Sequence, residues 1–319
     1  MKQRDVLYGY LRTLVICSLF LGILSGCGWI EPQNYTGFGE QDGGRQAVIW
    51  MLSDIQPPAP SEHVFFEQAI DEVRRNLGSI DIGLMAGDLL KSRADDSEFR
   101  WFLNTRSRSQ VANWYEIAGN HDVRSAPTFH KYFPHPDHYG VRLGNLLILL
   151  LSDTSTDSAS HISEQAFAWW QEMVASNQDK IIITVSHAQL RHSGLFSSII
   201  PSRQIVDSAR FEEVLKNYRV DLWISGHSHL RQGWAGTANC NKALGGTCFV
   251  NVSAIARTAL AGNESRFLYL ADGKDTAWIR SRNHRDEQFN PRLDLPLSLG
   301  HVFSWSQEPP QLILPPDSL

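Results

Sequence analysis

Short, almost wholly apolar segments recur along the chain, and they constrain its fold more than any other feature of the sequence. The segments at 47–52, 80–86, 114–118, 180–185 and 221–225, the hairpin at 139–151 and the runs at 249–254, 266–271 and 276–282 all have the composition of strands. Between them, residues 61–77, 97–104, 163–175 and 207–218 place apolar side chains at helical spacing. This alternation predicts an α/β domain in which helices cover buried sheets.

The overall charge excludes one class of partner. Of the 319 residues, 29 are basic and 34 are acidic, which leaves a net charge of −5. A generic nucleic-acid binder needs a positive surface, so we expect no nucleic-acid partner.

The first 46 residues have a different character from the rest. Basic residues precede an apolar run of about a dozen residues, which is too short to span a bilayer and is typical of a secretory signal. The run ends in LSGC at Cys27, which resembles a bacterial lipobox. The resemblance implies a lipoprotein signal peptide at 1–26 and a lipid-anchored tether at 27–46, with lipid on Cys27. A plain signal peptide or an uncleaved anchor, with Cys27 incidental, is the alternative.

The same segment predicts the location and the state of the cysteines. Residue 28 is Gly and not Asp, which resembles outer-membrane sorting, so we expect a bacterial envelope lipoprotein on the outer membrane, facing the periplasm and held by its N-terminal lipid. In an oxidising compartment Cys240 and Cys248, eight positions apart in a turn-like loop, are expected to form a disulfide. Two free thiols are the alternative.

Polar side chains follow five of the predicted strands at the point where each strand ends. Ligands in open α/β sheets bind beyond the carboxyl ends of strands, and clusters of carboxylates and imidazoles bind divalent metals. A single Asp or His at such a place is more often a helix cap or a packing residue. The conjunction favours a metal site, and its members are Asp54, Gln56, Asp88, Asn120, His121, Asp122, His187, His227 and His229.

The ordered motifs SDIQ, GDLL, GNHD, SH and GHSH, between residues 54 and 229, resemble those of the calcineurin-like metallophosphoesterases. The resemblance implies a four-layer fold, a two-sheet β-sandwich flanked by helices, spanning residues 47–283. It also implies a site for two metal ions. Residues 284–319, which contain six of the 14 prolines, are then a C-terminal tail that wraps the domain or trails from it.

Carried over by motif, the resemblance implies a role for each residue. Asp54, Gln56 and His229 would bind one metal, Asp88 would bridge both, and Asn120, His187 and His227 would complete the second. His121 would contact the phosphoryl group and protonate the leaving oxygen. Asp122 would orient His121 or serve only as a turn residue, and His192 is a rival for the role of His187.

The first motif departs from the usual D-x-H, because Gln56 replaces the histidine. A glutamine can ligate through its carbonyl oxygen, which is a harder donor than imidazole. The metals are therefore expected among Mn, Mg, Fe and Zn, with the preference moved away from Zn. Loss of one metal and of activity is the alternative.

The expected reaction is hydrolysis of a small phosphoester by a hydroxide that two metals activate. We expect a phosphatase that acts on monoesters, with a phosphodiesterase as the alternative and a non-catalytic binding lipoprotein as a second alternative. The loops at 123–139 and 188–206 would select the leaving group. Within them, Arg191 and His192 are candidates to contact substrate, whereas Arg203, like Arg210, is expected on a solvated face.

Overall fold

The structure, a computed structural model, describes residues 46–256, 260–305 and 308–316. Cys27, the predicted signal peptide and the predicted tether up to residue 45 lie outside this range. Among the helices of the described part, none combines the length and the apolar character needed to cross a membrane.

Fourteen strands lie within the described residues. In chain order they are β1 (Gln46–Leu52), β2 (Ile80–Met85), β3 (Val111–Glu116), β4 (His138–Leu143), β5 (Leu146–Leu151), β6 (Ile181–Ser186), β7 (Leu222–Ser225), β8 (Ala238–Asn241), β9 (Thr247–Asn251), β10 (Glu264–Ala271), β11 (Thr276–Asn283), β12 (Gln288–Phe289), β13 (Leu295–Ser298) and β14 (Gln311–Ile313).

The strands form two mixed sheets. The first has the order β12-β11-β10-β1-β2-β3, with β13 also paired to β11, and the second has the order β14-β4-β5-β6-β7-β9-β8. In the first sheet β1, β2 and β3 run parallel. In the second, β5, β6, β7 and β9 run parallel. These parallel strands are the continuous apolar runs of the sequence, because both of their faces are covered.

Within the described residues six α-helices cover the outer faces of the sheets: α1 (His63–Asn76), α2 (Asp96–Ser107), α3 (Asn120–Val123), α4 (Ala126–Tyr132), α5 (Glu164–Ser176) and α6 (Ser208–Asn217). Local chemistry fixes where α2 and α5 begin. Asp95 caps α2 in a capping box with Glu98, and the Ser163 hydroxyl accepts from Ala166 N at the start of α5.

Three apolar clusters account for the layers. One lies between the sheets and contains residues of β1, β2, β5 and β6. A second lies between the second sheet and α5 and α6. The third lies between the first sheet and α1, α2 and α4. The order helix, sheet, sheet, helix confirms the predicted four-layer sandwich.

The C-terminal segment differs from the expectation. Its described residues neither trail nor only wrap the domain, because β13 pairs with β11 in the first sheet and β14 pairs with β4 in the second. Leu297, Phe303 and Trp305 are buried in the cluster between the sheets. This segment is therefore part of the core.

A disulfide joins Cys240 and Cys248. The two residues are directly opposite each other in the antiparallel pair of β8 and β9, so the bond closes the hairpin at the edge of the second sheet.

Candidate metal centre

The carboxyl ends of the parallel strands of both sheets meet at one edge of the sandwich. Asp54 follows β1, Asp88 follows β2 and Asn120 follows β3, while His187 follows β6 and His227 follows β7. The first three residues come from one sheet and the last two from the other. The site is therefore built across the two sheets.

Two groups of three side chains converge at this edge. The first group is Asp88, His187 and His227, and the second is Asp54, Asp88 and His229. In each group, one candidate ligand atom per residue lies within 4.8 Å of the others. The closest pairs are Asp54 Oδ1 with His229 Nε2 at 3.0 Å and Asp88 Oδ2 with His187 Nε2 at 3.1 Å. Asp88 belongs to both groups, which is the position that a carboxylate shared by two ions needs.

The two amide side chains complete the cluster. Gln56 and Asn120 line the same cavity as Asp88. Asn120 is buried. The Nε2 atom of Gln56 lies 2.9 Å from His229 Nε2, and rotating the amide by a half turn exchanges Nε2 and Oε1. The amides therefore add two oxygen donors to the carboxylates and imidazoles.

Backbone carbonyls fix the tautomers of two histidines. The Nδ1 atom of His187 lies 2.8 Å from Ala86 O. The Nε2 atom of His227 lies 2.8 Å from Ser158 O and 3.1 Å from Ser202 O. Because a carbonyl only accepts, each of these nitrogens carries a hydrogen, and the other ring nitrogen of the neutral imidazole has its lone pair free for a metal.

The orphaned atoms of the cluster fit a cation. Asn120 Oδ1 is buried and has no hydrogen-bond partner, while Asp54 Oδ1 and His187 Nε2 are buried and meet only another candidate ligand of the same cluster. Buried polar atoms without partners are unfavourable, and here oxygen and imidazole nitrogen donors meet in the mixture that suits divalent ions such as Mn, Mg, Fe or Zn. The residues therefore fit divalent metal ions.

The pKa values of His187 and Asp54 show that the buried carboxylates favour positive charge beside them, whereas that of His227 shows repulsion by a neighbouring imidazole. Burial would lower the pKa of His187, but the carboxylates of Asp88 and Asp54 raise it to about 10. Burial and the neighbouring His187 lower the pKa of His227 to about 4. Burial would raise the pKa of Asp54, but the imidazole of His229 holds it well below its usual value. A cation bound here would replace the protons of the histidines.

The structure places His121 at the cavity, and of the two roles considered for Asp122 the contacts match that of a turn residue. The His121 Nδ1 atom lies 2.9 Å from Ser92 Oγ. The buried Asp122 carboxylate instead accepts from the backbone amides of Leu89, Leu90 and Gly119 at 2.9–3.2 Å. Asp122 thus joins the loop after β2 to the loop after β3, and Ser92 makes the orienting contact to His121.

The rivals for the histidine position are separated. His187 is in the cluster, whereas His192 lies on the surface with its Nδ1 atom 3.1 Å from Glu212 Oε2.

The expectation that Arg203 faces only solvent is wrong. Together with Arg124, Ser158 and Ser202 it lines the cavity, which has a volume of about 320 Å³.

The guanidinium groups of Arg124 and Arg203 donate only to neutral oxygen atoms, so these contacts do not neutralise their positive charges. Arg203 Nη1 donates to His227 O at 2.6 Å. Arg124 donates to Ser92 Oγ at 3.1 Å and to Thr156 O at 2.5 Å. Within the described ranges, neither side chain forms an ion pair with a carboxylate. The sequence signal was slight, since Arg124 follows the GNHD motif by two residues and Arg203 lies in the 188–206 loop.

Comparison with known proteins gives a family and a fold. Residues 47–231 match the sequence model described as calcineurin-like phosphoesterase. No curated protein matches the chain.

Two solved structures are similar in fold. One is a purple acid phosphatase isolated from yellow lupin (Lupinus luteus) seeds, with a TM-score of 0.57 and 14% identity, covering 80% of this chain and 54% of the lupin chain. The chain therefore spans about half the length of that enzyme. The other is GAP50, described as the anchor in the inner membrane complex of Plasmodium, with a TM-score of 0.55 and 10% identity, covering 82% of this chain and 90% of that one.

Proposed function

This chain belongs to the calcineurin-like phosphoesterase family, and from that membership we propose that it is a metal-dependent phosphomonoesterase of the bacterial cell envelope. The observation that carries the proposal is the convergence of two metal-capable groups that share Asp88, in a cavity that Arg124 and Arg203 also line.

Two ions would be held by the residues that meet at the sheet edge. Asp54, Gln56 and His229 would hold one, and Asn120, His187 and His227 the other, with Asp88 between them. When bound, the ions supply Lewis acidity, which activates water and neutralises charge on the phosphoryl oxygens.

The protein's own groups then act on the leaving group. The contact between His121 Nδ1 and Ser92 leaves Nε2 as the ring nitrogen that can meet the ester oxygen. Burial lowers the pKa of His121, and the carboxylate of Asp88 opposes that shift. In this role His121 donates a proton to the departing oxygen as the bond to phosphorus breaks.

Charge favours a monoester over a diester. A phosphomonoester carries close to two negative charges at neutral pH, whereas a diester carries one. The guanidinium groups of Arg124 and Arg203 add two positive charges to those of the ions, and Arg pairs with phosphate oxygens in a bidentate geometry. A second negative charge on the substrate therefore has partners in the protein.

The envelope location rests on the sequence before residue 46. The lipobox-like LSGC at Cys27 supports export, lipidation and retention at the membrane, on the outer membrane facing the periplasm. Labelling the expressed protein with a fatty acid, with Cys27→Ser as the control, tests the anchor. Incorporation that persists in Cys27→Ser would contradict it.

The central experiment uses one purified preparation. We expect p-nitrophenyl phosphate to be hydrolysed faster than bis(p-nitrophenyl) phosphate in the presence of Mn, Mg, Zn or Fe. Asn120→Ala and His227→Ala should each bind less metal and turn over either ester at least a hundredfold more slowly, because each removes a ligand. Faster hydrolysis of the diester would favour a phosphodiesterase, and full activity in these variants would refute the site.

A non-catalytic role is the second candidate. It is favoured by the replacement of the usual histidine by Gln56 and by the fold shared with a Plasmodium protein described as an anchor. Failure of the purified chain to hydrolyse either ester with any of the four metals, at full metal occupancy, would support it.

A further inference from the structure

Exposed apolar side chains are concentrated in two loops beside the metal centre. Phe196, Ile199, Ile200 and Trp234 are 46%, 77%, 39% and 45% exposed. They are four of the ten large apolar side chains left exposed in the described part of the chain. We refer to these four side chains as the apolar rim. Apolar residues clustered on a surface mark an interaction site more often than scattered ones do.

The apolar rim is close in the chain to residues that line the cavity. Ile199 ends one 3₁₀ turn (Phe196–Ile199) and Arg203 ends the next (Pro201–Arg203). Ser202 and Arg203 line the cavity, and Arg203 donates to His227 O. The second loop joins the first where Phe196 N donates to Gly236 O at 2.7 Å, two residues after Trp234. A molecule held at the metal centre can therefore extend onto the apolar rim.

The segments that carry the apolar rim are basic in an acidic protein. Residues 187–206 and 222–263 contain no Asp or Glu, whereas the whole chain has a net charge of −5. Arg191 and Arg203 lie in the first of these segments, whereas Arg231 in the second lines a cavity with Glu264 and Asp286, so the basic character belongs to the loop that carries Phe196, Ile199 and Ile200. Apolar side chains among basic ones suit the surface of an anionic membrane, where hydrocarbon and phosphate lie side by side.

We propose that the apolar rim holds the hydrocarbon part of an amphiphilic phosphoester, so that the substrates are phosphorylated lipids presented at a membrane surface. This inference rests on the proposed phosphomonoesterase activity and names its substrate class. Water adds to phosphorus, the bond from phosphorus to the lipid oxygen breaks, and a proton goes to that oxygen. The products are a lipid alcohol and inorganic phosphate.

The size of the apolar rim separates a lipid from a protein partner. A stable protein interface buries about 800 Å² on each side, which is more than four partly exposed side chains supply. An acyl chain that stays in the membrane needs only its end nearest the phosphate to contact the protein.

The test compares a lipid and a soluble substrate in the same sample. The full chain is assayed in non-ionic detergent micelles with dioleoyl phosphatidic acid in the micelle and, separately, with p-nitrophenyl phosphate. Ile199→Asp places a charge where the acyl chain would lie. We expect its kcat/KM for phosphatidic acid to fall at least tenfold relative to that for p-nitrophenyl phosphate.

Two control variants are matched to this change. Ile199→Leu keeps the apolar character, and Val302→Asp introduces the same charge at a side chain that is 53% exposed and lies near the start of β5, at the opposite end of that strand from the site. Both should keep the wild-type ratio. The proposal fails if the wild type hydrolyses p-nitrophenyl phosphate but not phosphatidic acid, or if Ile199→Asp leaves the ratio unchanged.

A second measurement does not depend on turnover. Brominated phosphatidic acid in the micelle should quench tryptophan fluorescence less in Trp234→Phe and in Ile199→Asp than in the wild type. Equal quenching in all three proteins would overturn the proposal, whether or not an ester is hydrolysed. The absence of hydrolysis would separately refute the proposed function. An elution volume that shifts to a smaller species in Ile199→Asp would show that a second copy of the chain covers the apolar rim, and this too would refute the proposal.

Discussion

Four of the predicted metal ligands share an uncommon backbone conformation. The φ angles of Asp54, Asp88, His227 and His229 lie between +53° and +67°, in the left-handed region that favours glycine. Each such residue costs about 1 kcal/mol or more, and it persists only where its surroundings hold it. Here they do, since Asp54 N donates to Gly87 O and His227 N donates to the Asp54 carboxylate. Strain of this kind is typical of binding sites.

Ser92 is expected to act through His121. Ser92→Ala removes the 2.9 Å contact to His121 Nδ1, so the imidazole is less well oriented toward the leaving group. We expect kcat for p-nitrophenyl phosphate to fall about tenfold, with a smaller rise in KM because the same hydroxyl also accepts from Arg124. Ser107→Ala, on the exposed end of α2, is the control. A normal kcat in Ser92→Ala would show that this contact has no catalytic importance.

Arg203 is expected to bind the second charge of a monoester. Arg203→Ala should raise KM for p-nitrophenyl phosphate about tenfold, because a hydrogen bond to a charged group contributes roughly 1.5–3 kcal/mol. KM for the bis ester should rise less. Arg108→Ala, at an exposed ion pair with Asp71, should change neither value. Equal effects on both esters would mean that Arg203 does not read the charge of the substrate.

The sequence located some site residues and not others for a physical reason. Asp54, Asp88 and His187 follow buried strands directly, and the apolar run of a strand fixes where its end lies. Ser92, Arg124 and Arg203 reach the cavity through loops, whose paths depend on contacts such as that of Arg124 with Thr156 O. No local pattern encodes such a path.

At the scale of elements, the predictions followed the strength of the apolar pattern. The hairpin predicted at 139–151 is formed by β4 and β5, and the helix predicted at 163–175 is α5. In contrast β13 (LPLS) contains Pro296, which argues against a strand, and it forms because it pairs at an edge with β11. Helix α4 lay within a presumed loop, and it packs Phe129 into the cluster against the first sheet. Tertiary contacts create these elements.

The loops that carry the ligands pack too closely for any added atom at Gly226. A Cβ there would lie 2.0 Å from Ser53 Oγ and 2.5 Å from Asp54 Oδ2. Gly226→Ala should therefore displace Asp54 and lower the bound metal per chain, with at least a hundredfold loss of turnover. Gly78→Ala, where a Cβ meets nothing within 4 Å, should retain both. Elemental analysis of the two variants decides, and full metal occupancy in Gly226→Ala would contradict the packing argument.

At the scale of the whole molecule, a buried polar network joins α1 to the far strands of the first sheet. The Glu72 carboxylate pairs with Arg282, which lies on β11, and with the imidazole of His284. The network continues from His284 through Ser265 to the indole of Trp50 on β1. All five side chains are buried. The network thus connects a helix with β1, β10 and β11 without taking part in the metal centre.

This network should make the stability of the protein depend on acid. Burial would raise the pKa of Glu72, but Arg282 and His284 lower it to about 2. A carboxyl whose folded pKa lies below its unfolded value stabilises the fold above about pH 4.5 and loses that contribution as the pH falls toward 2. The free energy of unfolding of the wild type should exceed that of Glu72→Gln by about 3 kcal/mol at pH 5. The difference should shrink by about 2 kcal/mol at pH 3.

Urea titrations at both pH values measure this difference, and Glu172→Gln, on the exposed face of α5, should follow the wild type. Because the two curves are subtracted, acid effects on the metal ligands cancel, so a difference that stays constant between pH 5 and pH 3 would show that folding does not lower the pKa of Glu72.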